Sequence, residues 1–267
     1  MGEVVRVRGI EMSYDDSGGD GAAVVLLHGF PFDRSMWREQ AEALKDSYRV
    51  IAPDLRGHGR TTATGGAATM EEMADDVAAL LDELNIGRAV VGGLSMGGYV
   101  ALAFCREYAG RVAALVLADT RPQPDTEEAR RGREKMVQLA LGEGMAPIAD
   151  AMLPKMLAPA TLAGNPELVA RVREMILNTN PEGAAAALRG MAARRDQTDL
   201  LPQLGVPALV LVGAEDSVTP PANAQAMHEL MPGSRLVRIE GAGHASNLEN
   251  AAEFNRALRE FLDGLGD

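Results

Sequence analysis

The chain has 267 residues, of which 46% are hydrophobic and 24% charged, and its net charge is −12. That balance can fill one large core, and the acidity excludes a nucleic-acid partner, which would need a basic face. No apolar run reaches the roughly 18–20 residues of a membrane span. The opening M-G-E-V-V-R-V-R has no long apolar stretch of a secretory signal, so neither a membrane partner nor export is expected.

Strand and helix signals alternate along the chain. Val4–Arg8 and Ile10–Tyr14 read as short strands around Gly9, an opening antiparallel pair. Val24–Leu27 is a short continuous apolar run, the mark of a strand buried on both faces. A helix over Met36–Lys45 and a strand over Arg49–Ala52 follow. Thr69-Met-Glu-Glu72 is a capping box, placed to satisfy free N–H groups at the start of a helix that runs to about Asn85. A strand over Ala89–Leu94 leads into a helix over Tyr99–Tyr108. Ala113–Ala118, Ala208–Val212 and Arg235–Ile239 are further strands, with helices near Pro221–Met231 and Ala251–Leu262 after the last two. This alternation predicts an α/β fold: a mostly parallel eight-stranded sheet with helices on both faces.

Residues 121–199 contain no clear strand and read as helices over 126–141, 145–157, 166–178 and 182–194. Asn165-Pro-Glu and Asn180-Pro-Glu look like helix starts, with Asn as the cap and Pro in the first turn. Such an insert is expected to lie as a lid on the C-terminal edge of the sheet, where open α/β sheets bind ligands. The expected division is a core of residues 1–120 and 200–267 with a helical cap of residues 121–199. The cap methionines, such as Met136, Met152 and Met191, are expected mainly to pack between helices. Cys105, the lone cysteine, cannot form an internal disulfide and suits core packing in a reducing, cytoplasmic setting.

The chemistry centres on residues 92–98, G-G-L-S-M-G-G. A strand ends in Gly93-Leu-Ser95-Met-Gly97 and a helix begins, which describes a turn too tight for side chains two residues either side of the serine. Ser95 is expected at a strained positive φ, with its hydroxyl raised into the cleft. A serine hydroxyl needs a base. His244, in Gly241-Ala-Gly-His244 after the strand 235–239, falls at the same end of the sheet. The other three histidines fit structural or surface roles: His28 as an anchor of its loop, His58 holding backbone, and His228 on an exposed helix. The base in turn needs a carboxylate. Asp216 follows the strand 208–212 and is preferred; Asp119, after the strand 113–118, is the alternative. A tetrahedral intermediate needs N–H donors, and Met96 and Phe30 are placed to supply them. Gly29, Phe30, Leu94, Met96 and Trp37 are candidates for an apolar pocket. No metal or cofactor is expected, since the four histidines form no ligand-spaced cluster.

Over nearly its whole length the sequence resembles the α/β-hydrolase superfamily. The matching pieces are H-G-F-P (28–31), D-L-R-G-H-G (54–59), G-L-S-M-G-G (93–98), G-A-E-D (213–216) and G-A-G-H (241–244). The serine points to the branch that includes carboxylesterases, 3-oxoadipate enol-lactonases and cofactor-free haloperoxidases (perhydrolases); L-A-D-T-R (117–121) looks lactonase-like. The resemblance implies a catalytic triad of Ser95, Asp216 and His244, an oxyanion hole at Phe30 and Met96, and hydrolysis of a small ester or lactone. A lactone bearing a carboxylate would want a cap arginine, and Arg121, Arg130, Arg131 and Arg133 are the candidates. Family members often carry a proline before the last helix, where this chain has Asn250-Ala-Ala-Glu. The reading from another class is a non-catalytic ligand-binding protein of the same fold. Oligomeric state is not encoded in any motif.

Overall fold

In the computed structural model, which describes residues 2–266, one eight-stranded sheet has the order β1-β2-β4-β3-β5-β6-β7-β8. Residues 1 and 267, the outer ends of the expected core, lie outside the described residues. β1 (Glu3–Val7) and β2 (Ile10–Asp16) pair antiparallel, with Gly9 at φ 84° in their turn. β2 is also antiparallel to β4 (Tyr48–Pro53), and every later pairing is parallel. β3 (Ala22–Leu27), β5 (Ala89–Leu94), β6 (Val112–Ala118) and β7 (Ala208–Gly213) form the middle of the sheet, and β8 (Arg235–Ile239) closes one edge. Val24–Leu27 is buried throughout, as a strand covered on both faces must be.

In chain order the helices are α1 (Arg38–Leu44), α2 (Met70–Glu83), α3 (Met96–Glu107), α4 (Glu127–Glu143), α5 (Ala146–Met156), α6 (Pro159–Gly164), α7 (Pro166–Leu177), α8 (Pro181–Ala193), α9 (Pro221–Leu230), α10 (Ser246–Glu249) and α11 (Ala251–Asp263). α2 packs on α3 and α1 on α11. No described helix is long and apolar enough to cross a membrane. The caps follow local chemistry. Thr69 accepts the Glu72 N–H at 3.1 Å, and Asn180 accepts those of Glu182 and Gly183 at 2.8 and 3.2 Å. Asn250 accepts the Glu253 N–H at 3.3 Å, so asparagine starts α11 where a proline would otherwise stand.

Two features depart from the sequence reading. The helix expected from Met36 begins as a 3-10 turn over Arg34–Trp37, capped by Asp33, before α1 continues it. α6 and α10 are extra, six and four residues long, too short to show a period.

The helices α4–α8 sit between β6 and β7 and dock through close backbone approaches. A Cβ on Gly57 would overlap Gly183 of α8, and one on Gly190 would overlap the Ala68 carbonyl. The Thr179 hydroxyl donates to the Pro31 carbonyl at 2.6 Å. At the root of this segment Arg121, Arg133 and Arg194 converge on the buried carboxylate of Asp125, and Arg194 also lies 4.2 Å above the Tyr99 ring.

Candidate active site

Ser95 caps β5 at φ 53° and ψ −112°, outside the regions a side chain prefers. Its neighbours explain how the turn is held. A Cβ on Gly93 would overlap the Gly97 carbonyl, and one on Gly97 would overlap the Leu27 carbonyl on β3. The glycines therefore make room for backbone. Gly92 faces Leu26 and Val116 on the flanking strands, and Gly98 faces the Thr120 side chain.

The Ser95 hydroxyl lies 2.9 Å from His244 Nε2, and His244 Nδ1 lies 2.8 Å from Asp216 Oδ2. His244 and Asp216 are buried while Ser95 is half-exposed, so the line of groups opens at its hydroxyl end. With Asp216 as acceptor at Nδ1, the Nδ1–H tautomer leaves Nε2 free to accept the serine proton. Asp216 is further held by the N–H groups of Val218 and Thr219 at 2.7 and 2.9 Å and by the Thr219 hydroxyl at 2.7 Å. Burial alone would raise the Asp216 carboxyl. The His244 imidazole and the Thr219 groups outweigh it and keep the carboxyl below its ordinary value.

Beside Ser95 runs the loop after β3. The ideal Cβ position of Gly29 is 3.5 Å from Ser95 Cβ and 3.2 Å from Leu94 Cδ2. The Gly29 carbonyl accepts the Phe32 N–H at 2.9 Å, which folds Phe30 into a turn. Met96 opens α3, so its N–H belongs to the first helical turn, whose amides have no acceptor within the helix. His28 Nε2 accepts the Leu55 N–H at 2.9 Å, tying this loop to residues 54–59. There Arg56 grips Asp76 of α2 with bonds of 2.6 and 2.7 Å. His58 is buried against the edge of Phe30, and its Nδ1 faces the Arg56 carbonyl at 3.1 Å. Burial holds His28 down to about 4 and His58 down to about 3.

Three residues sit differently from expectation. Trp37 packs 6.0 Å from the Phe254 ring and borders a cavity of about 230 Å³ walled by Asp15, Arg34, Arg38, Val50 and Ala52, with Ser95 not among its lining residues. The short 3-10 turn, which faces Met36 toward Gly29, turns Trp37 into the core. Asp119 makes no bond to a histidine, yet it is no solvated loop group: it is buried, with both carboxyl oxygens bonded. His228 is half-buried and bonds the Ser234 hydroxyl at 2.8 Å. The residues that sequence reasoning passed over are Thr219 and Glu249. Thr219 was legible as Asp-x-x-Thr, a spacing at which the carboxylate can accept from the backbone and hydroxyl three residues on. Glu249 gave no signal. Among the described residues, no group of His, Cys, Asp and Glu is arranged to hold a metal.

The model of the alpha/beta hydrolase fold family matches residues 22–251. The 3-oxoadipate enol-lactonase 2 of Acinetobacter baylyi is 30% identical, over 91% of this chain and 89% of its own length. A thermophilic esterase from Thermogutta terrifontis is 45% identical, superposes with a TM-score of 0.95 and covers 99% of both chains. The enol-lactonase from Burkholderia xenovorans LB400 is 33% identical with a TM-score of 0.92, over 98% of this chain and 100% of its own. With its sheet order, the serine turn at the tip of β5 and a family match spanning most of its length, this chain belongs to the alpha/beta hydrolase fold family.

Proposed function

We propose that this protein is a serine hydrolase of small carboxylic esters, working through an acyl-enzyme on Ser95. The observation that carries the reading is the continuous line from Ser95 Oγ through His244 to Asp216. Ser95 Oγ attacks the ester carbonyl while His244 Nε2 takes its proton. The oxyanion that forms is held by the N–H groups of Phe30 and Met96. Collapse breaks the C–O bond, and His244 returns the proton to the leaving alkoxide. Water then attacks the acyl-enzyme with His244 as base and frees the acid and Ser95. Asp216 stays ionised and stabilises the imidazolium.

The helices of residues 121–199 act as the cap in this reading, over a core of residues 1–120 and 200–267. A contact beside His244 supports this reading: the Ala245 N–H donates to the Met156 carbonyl at 2.9 Å. Cys105 is buried and unpaired, which fits a cytoplasmic enzyme.

A neutral substrate is favoured by the cap arginines. Arg121 and Arg133 are engaged by Asp125, and Arg130 and Arg131 face Glu127 on the surface. An enol-lactone carrying a carboxylate is the second reading, favoured by the likeness to the Acinetobacter and Burkholderia lactonases. A p-nitrophenyl ester series beside an enol-lactone assay separates the two. Turnover of neutral short-chain esters by the wild type, abolished in Ser95→Ala, is the expected result. Asp216→Asn is expected to lose about 10²–10⁴-fold in kcat. No turnover above Ser95→Ala on any ester, lactone or peracid substrate would leave the ligand-binding reading in its place.

A further inference from the structure

The tripeptide Ala118-Asp119-Thr120, where β6 ends, touches the three segments that carry Ser95, Asp216 and His244. The Ala118 carbonyl accepts the Ser95 N–H at 2.9 Å, and the Thr120 hydroxyl donates to the Ser95 carbonyl at 2.8 Å. Asp119 reaches the other two. Its N–H donates to the Leu211 carbonyl at 2.9 Å, and its Oδ1 accepts the Gly213 N–H at 2.8 Å, just before Asp216. Its Oδ2 accepts the hydroxyl of Ser246, just after His244. Asp119 is fully buried at φ 45°, a left-handed conformation uncommon in residues with a Cβ.

We infer that Asp119 is a positioning residue, whose carboxyl sets the spacing between the Asp216 loop and the His244 loop and registers both against Ser95. The inference rests on the proposed roles of those three residues. Asp119 is not a reserve acid, because His244 Nδ1 is already taken by Asp216. Burial, with the charge of Asp216 adding to it, pushes the Asp119 carboxyl well above its ordinary range. An amide in its place could hold the same two partners, the Gly213 N–H and the Ser246 hydroxyl. Misplacement of a catalytic group by an ångström is worth about 10²-fold in rate.

The test is steady-state kinetics on p-nitrophenyl butyrate for wild type, Ser95→Ala, Asp119→Ala, Asp119→Asn, Ser246→Ala and the Asp119→Ala/Ser246→Ala double variant. Asp119→Ala is expected to lose about 10–100-fold in kcat with KM within about twofold. Asp119→Asn is expected to recover most of that loss, since its amide can accept from Gly213 and donate to Ser246. The double variant is expected to be no slower than Asp119→Ala, because one bridge is cut either way. Three results each overturn the inference: kcat of Asp119→Ala near wild type, Asp119→Asn as slow as Asp119→Ala, or losses that multiply in the double variant. If Asp119→Ala fails to fold by circular dichroism, Ser246→Ala decides, and an unchanged kcat there overturns it. Failure of the hydrolase reading shows separately, as wild type no faster than Ser95→Ala.

Discussion

Thr219 donates its hydroxyl to Oδ2 of Asp216, the same oxygen that faces His244 Nδ1. The hydroxyl also lies 3.3 Å from that nitrogen, so one threonine braces the carboxylate at the point where it meets the imidazole. A hydrogen bond to a charged group is worth about 1.5–3 kcal/mol. Thr219→Val is therefore expected to lower kcat by about 10–100-fold, with Thr219→Ser close to wild type. Ester kinetics of the two variants check this, and equal activity in Thr219→Val would remove the brace.

Two glycines separate constraint from slack. A Cβ on Gly97 meets the Leu27 carbonyl in the middle of the sheet, where nothing can move aside. Gly97→Ala is expected to fail to fold or to lose all activity. Gly132 lies exposed in α4 with nothing within 4 Å of a Cβ. Gly132→Ala is expected to stabilise by about 0.5–1 kcal/mol through backbone entropy, raising Tm by about 2 °C. Thermal melts of both proteins are the measurement.

Stability depends on pH through two buried histidines, His28 and His58. Burial holds His28 at about 4 and His58 at about 3, below the ordinary 6.5. Below pH 6.5 the unfolded chain takes up protons that the folded chain accepts only near those lower values. The stability they contribute is complete above pH 6.5 and is lost as pH falls from about 6.5 to about 3. At about 1.4 kcal/mol per pH unit, acidification through that window costs the folded state several kcal/mol. Asp119 acts with the opposite sign: its raised carboxyl favours the folded state at low pH, an advantage that fades as pH rises above its ordinary value. Urea midpoints measured across pH 4–7 should fall toward acid, and more shallowly in His58→Asn. A flat profile in the wild type would contradict the burial of both rings.

Glu249 clips the cap segment to the histidine loop. Its two oxygens accept the Gly243 and Ala158 N–H groups, each at 2.7 Å. Glu249→Ala leaves two amides without their acceptor and is expected to destabilise by about 2–4 kcal/mol. It should also open the chain to protease between α5 and α6. Limited proteolysis, with the cut mapped by mass, tests this, and an unchanged digestion pattern would count against the clip.

The sheet was legible because its strands are short, continuous apolar runs, and the serine turn because glycines flank it at a fixed spacing. Caps at Thr69, Asn165 and Asn180 were legible because they act within three residues. Apart from Thr219, which acts three residues from Asp216, what escaped acts across long separations. Glu249 meets Ala158 across 91 residues, and Asp119 meets Gly213 and Ser246 across 94 and 127. Those pairings exist only once the strands lie in order. Trp37 escaped for a different reason: one 3-10 turn rotates successive side chains differently from a regular helix, and the expected pocket residue became core.

The position of His244 in the chain has a temporal meaning. Ser95 rests on β5, in the interior of the sheet, whereas His244 follows β8 at its edge, 149 residues later. As the polypeptide leaves the ribosome, the serine turn can form long before its proposed base has been made. Until β8 and the helices after it dock, Ser95 lacks the imidazole that meets its hydroxyl in the finished fold. On the proposed role of His244, activity begins only once β8 has docked, so the onset of ester cleavage would report that this strand has found its place.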